Sequence, residues 1–208
     1  MRQEISGPSR IRLLQVLHLL EKHGMEKDLP VSSSMIEQST GWPSNTIRKD
    51  ISCLSKIAGQ SVGENVGYNP ELLIQLIKKA LGLDRPRKFC VVGLGRLGSA
   101  YLNFTPPELA EFELAAGFDI NVNRVEILQS PAPLFPAYKM AEIISRFVIE
   151  IALLCVPAAE AQAAAEKCAA AGIRGILNFA PAVLSLPAEI IVKNVYVTDA
   201  LRSLAIQI

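Results

Sequence analysis

Gly93, Gly95 and Gly98 follow the apolar run Phe89-Cys90-Val91-Val92 and lead into helix-compatible sequence, an order of residues that can cradle a pyrophosphate. In a G-x-G-x-x-G turn the first glycine allows the tight bend at the strand end. The second removes a Cβ that would block the phosphates, and the third lets the helix pack close to the strand. The phosphate oxygens then meet free backbone N–H groups at the positive end of that helix. Leu94, Arg96 and Leu97 complete the loop. A second apolar run, 114–118, ends in Asp119, 21 residues beyond Gly98, where a carboxylate would accept from both hydroxyls of a ribose and repel a 2′-phosphate. The pattern predicts a dinucleotide site that favours NAD(H) over NADP(H), with Arg124 near enough in sequence to soften the preference. A ligand-free glycine turn, with Asp119 as an ordinary strand-end polar residue, is the alternative.

Groups that would turn a bound nucleotide over are missing from the same region. Both histidines, His18 and His23, lie in the first helical stretch, far from the glycine loop in sequence. There is no Ser/His/Asp order, no G-x-S-x-G elbow and no metal-ligand spacing, so no catalytic residue and no metal are expected. Cys53, Cys90, Cys155 and Cys168 show no C-x-x-C pairing and read as reduced thiols, two of them inside apolar strands. The formal net charge of +1 leaves any basic surface to be local. No apolar run approaches the length of a membrane span, and no secretory leader is apparent, which together predict a soluble cytoplasmic protein.

The elements that must position these residues fall into two parts. From about 8 to 80 the pattern is helical. Leu13, Leu14, Val16, Leu17, Leu19 and Leu20 give a broad apolar face, with Gly24 as a stop; a short helix over 34–40 is halted by Gly41; and Ser44 is placed as the N-cap of a third helix to about Ile57. Ile47, Ile51 and Leu54 recur at i, i+4 and i+7, which turns Ser44, Asn45, Arg48, Lys49 and Ser52 outward. Residues 63–69 have hairpin composition, and a helix over 70–81 closes the unit. This order looks like a winged helix-turn-helix, in which Arg48 and Lys49 would read guanine edges or neutralise phosphates, Ser44, Asn45, Thr46 and Ser52 would donate to phosphate or base, and the hairpin would touch the backbone. A small helical domain with a solvated polar face, or a protein-binding winged helix, fits the same pattern.

The charged, proline-bearing segment 82–88 reads as a linker. Beyond it strands are expected near 89–92, 114–118, 148–155, 173–178 and 190–197, with helices at 96–104, 138–146, 158–171 and 198–207. Residues 120–137, with three prolines, read as loop. Strand alternating with helix predicts a Rossmann-like, doubly wound parallel sheet of class α/β, whose ligands bind at the strand C-termini. Val156-Pro157 and Asn178-Phe179 fall at two such ends, Asn178 as an amide or phosphate contact and Phe179 as core or ring-stacking wall.

Taken together the chain resembles the Rex family, redox-sensing transcriptional repressors that join a winged-helix DNA-binding domain to an NADH-responsive Rossmann domain. The resemblance rests on Arg12-Leu13, Thr46-Ile47-Arg48-Lys49-Asp50, Gly67-Tyr68-Asn69, the glycine loop, Phe118-Asp119, the run from Ala171 to Ala180-Pro181, and Lys193-Asn194-Val195. It implies a DNA-binding domain over 1–81 that includes Tyr68 at the wing, an NAD(H)-binding domain over 89–197, and a C-terminal helix over 198–208 swapped between the subunits of a homodimer. It further implies a repressor of a palindromic operator in double-stranded DNA, released by NADH. The alternatives are a divergent NAD(H)- or coenzyme A-binding dimer without redox-dependent repression, and a nucleotide-binding enzyme subunit. The family's interdomain contact set maps to Arg12, Phe104 and Tyr196; a tyrosine and an aspartate are usual at the last two places, so Arg12 is expected to lack its charge partner. Leu54-Ser55 replaces the usual Phe-Gly after the recognition helix, and the wing looks stretched.

Overall fold

A computed structural model describes residues 5–22, 29–64, 67–104 and 111–208. It divides into two compact units, Met1–Arg85 and Pro86–Ile208.

The first unit holds α1 (Gly7–Lys22), α2 (Ser33–Thr40), α3 (Ser44–Ala58), the strands β1 (Gly63–Glu64) and β2 (Gly67–Tyr68), and α4 (Pro70–Leu81). Its core is the apolar stripe predicted for α3, Ile47, Ile51 and Leu54, packed with Leu13, Val16 and Leu17 of α1 and with Leu73 and Ile77 of α4. Leu14 is left out of the expected α1 face and is exposed. The stop at Gly24 and the second histidine, His23, lie outside the described residues, as does the hairpin tip at 65–66. Ser44 is the first residue of α3 rather than its cap; Pro43 holds the cap position, and the Ser44 N–H donates to Glu37 Oε2 at 3.2 Å. The wing gains a partner that composition alone does not reveal. Val31 exchanges two backbone hydrogen bonds with Tyr68, at 2.8 and 2.9 Å, and so adds an antiparallel bridge to β2.

The second unit is a six-stranded parallel sheet of β3 (Arg87–Val92), β4 (Phe112–Asp119), β5 (Leu134–Pro136), β6 (Ile151–Leu154), β7 (Gly175–Asn178) and β8 (Ile191–Asn194). The order is β5-β4-β3-β6-β7-β8, so the chain winds outward from β3 in one direction and from β6 in the other. Between them lies the topological switch point, where a doubly wound sheet opens its ligand crevice. Alternate side chains of β3 serve opposite faces. Cys90 and Val92 pack with Met140, Ile144, Ala161 and Cys168, whereas Phe89 and Val91 pack with Leu94 and Leu102. Both faces are covered by helices, α5 (Arg96–Leu102), α6 (Val122–Ile127), α7 (Met140–Phe147) and α8 (Ala158–Ala170), as parallel sheets require. A last helix, α9 (Val197–Gln207), has no buried residue.

The stretch read as loop, 120–137, contains α6 and β5. Asn121 caps α6 by accepting from the Asn123 N–H, and β5 pairs with β4 from Leu134 to Pro136. Prolines are tolerated because β5 is an edge strand with one side free of ladder bonds. The strand expected from 148 begins only at Ile151, since Val148 is the left-handed cap of α7, with φ 56° and ψ 52°. A β-branched residue is strained there, and Val148 is exposed, so its side chain packs little. Val148→Gly is expected to stabilise the protein by about 1 kcal/mol, raising the melting temperature by about 2–4 °C. An unchanged or lowered melting temperature in calorimetry would show that the strain is relieved elsewhere. No helix among the described residues is long and apolar enough to cross a membrane.

Candidate nucleotide cavity and nucleic-acid interface

The glycine loop closes against the segment that follows β6, and α5 against the loop, through contacts that only glycine permits. Gly93 has φ +89°, and a Cβ on it would lie 2.7 Å from the Cys155 carbonyl oxygen. On Gly98 a Cβ would fall 1.8 Å from the Gly93 oxygen, so α5 could not pack where it does. Gly95 differs. Its φ of −68° and ψ of −163° suit any residue, and a Cβ would meet nothing within 4 Å. Nothing inside the protein requires glycine at that position. The open space beside it belongs to a cavity of about 770 Å³ at the switch point, a volume suited to a sizeable small molecule.

Asp119 ends β4 at the edge of this cavity and is almost fully buried. Its Oδ2 accepts from the Leu94 N–H at 2.6 Å, and its Oδ1 accepts from the Asn121 N–H at 2.7 Å. The carboxylate therefore ties the glycine loop to the turn after β4. Oδ1 keeps a further lone pair for a ribose hydroxyl, whereas Oδ2 also accepts from Arg124 Nη1, a longer bond that a ribose hydroxyl could replace. Arg124 stands 3.4 Å from Oδ2 and also lines the cavity.

Of the residues expected at the cofactor, Gly93, Gly95, Asp119, Val156 and Pro157 line the cavity together. Leu94 is buried beneath the loop, Leu97 projects to solvent, and Arg96 and Gly98 shape the start of α5. Asn178 and Phe179 are not among the lining residues. The Asn178 amide is engaged inside the protein: the two Nδ2 hydrogens are shared among the Ala182 oxygen, Asn194 Oδ1 and, at a longer 3.3 Å, the Tyr196 hydroxyl, and Oδ1 accepts from the Ala180 N–H. Phe179 packs its ring 5.1 Å from that of Tyr101, so core packing accounts for it. The wall formed by α8 was not anticipated. Ala159, Ala163 and Ala164 line it with Glu160 and Lys167. The alanine density of α8, legible as helix propensity, also leaves the space a ligand would need.

Burial holds the thiols near the sheet in their neutral form. Cys90 is pushed well above the ordinary thiol value, while Cys155 and Cys168 are raised to about 12 by loss of hydration.

In the first unit α3 presents Asn45, Arg48, Lys49, Ser52 and Lys56 to solvent. Arg48, Lys49, Ser52 and Lys56 line a shallow depression of about 320 Å³ together with Cys53. Lys56 was missed, although it stands seven residues after Lys49 and so on the same helical face. Ser44 and Thr46 are half-buried; Ser44 Oγ accepts from Arg48 Nη2 at 3.3 Å, and Thr46 Oγ1 donates to Asn45 Oδ1 at 3.3 Å. Arg48 Nε also donates to Ser33 Oγ at 3.1 Å. The wing comes near the same arginine. Burial raises the Tyr68 phenol above its usual range, partly offset by the positive charge of Arg48.

The residues of the expected interdomain set have partners of their own. Arg12, expected to lack the family's interdomain carboxylate, is held within the first unit by Asp50, with Nε to Oδ2 at 2.6 Å and Nη2 to Oδ1 at 2.9 Å. This hydrogen-bonded carboxylate raises the guanidinium above its already high value. The Tyr196 hydroxyl donates to the Ala182 oxygen at 2.8 Å. Phe104 is 52% exposed and meets the Tyr101 ring edge-on.

Residues 84–182 match the CoA binding domain family. Over a longer span the chain is 33% identical to a redox-sensing transcriptional repressor Rex of Levilactobacillus brevis, across 84% of this chain and 80% of that one. It is 32% identical to Rex 1 of Enterococcus faecalis, across 95% and 87% respectively. Among solved structures it is similar to RSP, a Rex-family repressor, with a TM-score of 0.82 at 29% identity, covering 98% of this chain and 93% of that one. The complex of RSP with β-NAD+ and operator DNA gives a TM-score of 0.85 at the same identity, covering 98% and 92%. A winged unit, a doubly wound sheet with its cavity at the switch point, and this likeness along most of the chain lead to one conclusion: the chain belongs to the Rex family of redox-sensing transcriptional repressors.

Proposed function

We propose that the protein represses transcription by binding a palindromic operator as a homodimer, and that NADH bound in the cavity of the second unit releases it. The observation that carries this reading is Gly95, a glycine that the fold does not need, facing a cavity whose edge carries the buried Asp119. Within the family, RSP is known in complex with β-NADH and in complex with β-NAD+ and operator DNA.

Gly93, Gly95, Val156 and Pro157 would surround the pyrophosphate, and Asp119 would accept the ribose hydroxyls. Leu94, Arg96, Leu97 and Gly98 act through the shape of the loop. Arg48, Lys49 and Ser52, with Ser44, Asn45 and Thr46, form the DNA-binding face, and Tyr68 places the wing beside it. Binding without turnover is the reading that fits: both histidines belong to the first unit, and of the proton-handling groups that line the cavity, Asp119, Cys155, Glu160 and Lys167, the Asp119 carboxylate is already tied to the Leu94 and Asn121 N–H groups. In this reading the redox signal enters through the nucleotide, and burial keeps the thiols of the second unit, Cys90, Cys155 and Cys168, in their unreactive neutral form. The dimer reading rests on α9, where Val197, Leu201 and Leu204 recur at i, i+4 and i+7 and all stand exposed in the single chain.

Release is a shift of population. NADH must bind one domain arrangement better than the other, and operator DNA must prefer the opposite one. Selection of random duplexes on the purified protein tests the DNA half: a palindromic site should be enriched, and no enrichment would contradict the reading. Asp119→Ala tests the nucleotide half. It removes the ribose acceptor and also frees the buried Leu94 N–H and the Asn121 N–H that shape the loop and the turn after β4, so calorimetry should show NADH affinity lower by about 100-fold. Unchanged affinity would place the ribose elsewhere.

A further inference from the structure

Asp50 is the only acidic residue of α3. It stands between Lys49 and Ile51, and an outward carboxylate there would repel the phosphates that Arg48 and Lys49 attract. The side chain is instead buried against α1. Arg12 grips both carboxylate oxygens, one through Nε and one through Nη2, and Ser9 Oγ donates to Asp50 Oδ1 at 2.8 Å. The Arg12 guanidinium also lies 5.6 Å from the centroid of the Trp42 ring, in the turn between α2 and α3. Trp42 Nε1–H in turn donates to Gln15 Oε1. Ser9, Arg12 and Gln15 are spaced three apart, so one stripe of α1 holds both α3 and the turn that leads into it.

The apolar stripe Ile47, Ile51 and Leu54 sets how deeply α3 sits, but apolar contact has no preferred direction. A two-pronged guanidinium–carboxylate pair does. We infer that Arg12 and Asp50 are positioning residues for DNA recognition: their pair fixes the rotation of α3 about its own axis, and with it the direction in which Arg48, Lys49 and Ser52 project. This deepens the DNA-binding reading above and rests on it. It also gives Arg12 a standing task inside the first unit, separate from the interdomain contact that the family resemblance implies.

The experiment uses the full chain, a duplex selected by the wild type and an unrelated duplex of equal length. Arg12→Gln and Asp50→Asn should each lower affinity for the selected duplex about tenfold or more, and for the unrelated duplex about twofold or less, because non-specific binding needs only charge. The double variant should be no weaker than the weaker single, as expected for two residues that act as one unit. Trp42 is the only tryptophan in the chain, so its emission should shift in each variant before DNA is added. Arg12→Lys keeps the charge without the fork and should restore only part of the discrimination.

Equal losses on both duplexes, or losses that multiply in the double variant, would overturn the inference. So would stronger binding by Asp50→Asn, which would mean that Arg12 freed from Asp50 contacts phosphate itself. A single variant that fails to fold is replaced by Arg12→Met with Asp50→Met, which leaves no orphaned charge; discrimination retained in that folded variant also overturns it. If the wild type enriches no duplex while still binding NADH, the DNA-binding reading falls and this inference with it.

Discussion

Alanine at positions 48 and 49 together is expected to lower operator affinity by about 30-fold or more while leaving NADH affinity unchanged. Each good contact to a base edge or phosphate is worth about 1–3 kcal/mol, so two lost contacts remove about 2–6 kcal/mol. Lys49 and Arg48 are exposed, and among the described residues Arg48 bonds to the hydroxyls of Ser33 and Ser44. Their removal should therefore cost little stability. If both act on phosphates, the slope of log affinity against log salt should also fall by about 2. Loss of specificity with an unchanged slope would instead place them on base edges. Retained operator affinity would mean that α3 is not the reading helix.

Gly95 and Gly98 are expected to fail in different ways. Gly98→Ala drives a methyl to within 1.8 Å of the Gly93 oxygen, and backbone cannot move aside as a side chain would. Such overpacking costs about 3 kcal/mol or more here, at the upper end of the usual range, so the second unit should melt early and nucleotide binding should vanish. Gly95→Val finds open space and an ordinary backbone conformation. It should fold with a near-normal melting temperature and yet lose NADH binding by about 100-fold or more, because the side chain would occupy the pyrophosphate's place. A variant at 95 that still binds NADH would remove the strongest reason for placing the pyrophosphate beside the loop.

The difference between those glycines is a fair measure of what the sequence can convey. Gly93, Gly95, Gly98 and Asp119 are legible because strand, turn, helix and next strand are consecutive, and their spacing encodes their geometry. Ile47, Ile51 and Leu54 are legible for a similar reason, since helical periodicity is a local property. The edge strand β5 was hidden by Pro131, Pro133 and Pro136, which signal a loop unless the strand is known to be an edge. Val31 pairs with Tyr68 as an isolated bridge, too short to leave any periodic trace. The cavity wall on α8 and the Arg12–Asp50 pair arise only when helices distant in sequence are packed together. Asn178 looked available because strand C-termini face the crevice; the return of the chain through Ala182 and Tyr196 uses up its amide instead.

The central claim is that nucleotide in the second unit controls DNA held by the first. The direct measurement is the affinity of the purified protein for its selected operator duplex with NADH, with NAD+ and with neither, at one fixed salt concentration. A coupling of about 1–3 kcal/mol predicts that NADH weakens operator binding by about 5- to 150-fold, whereas NAD+ leaves it near the nucleotide-free value. The same operator affinity in all three conditions, with NADH shown by calorimetry to be bound, would contradict the account.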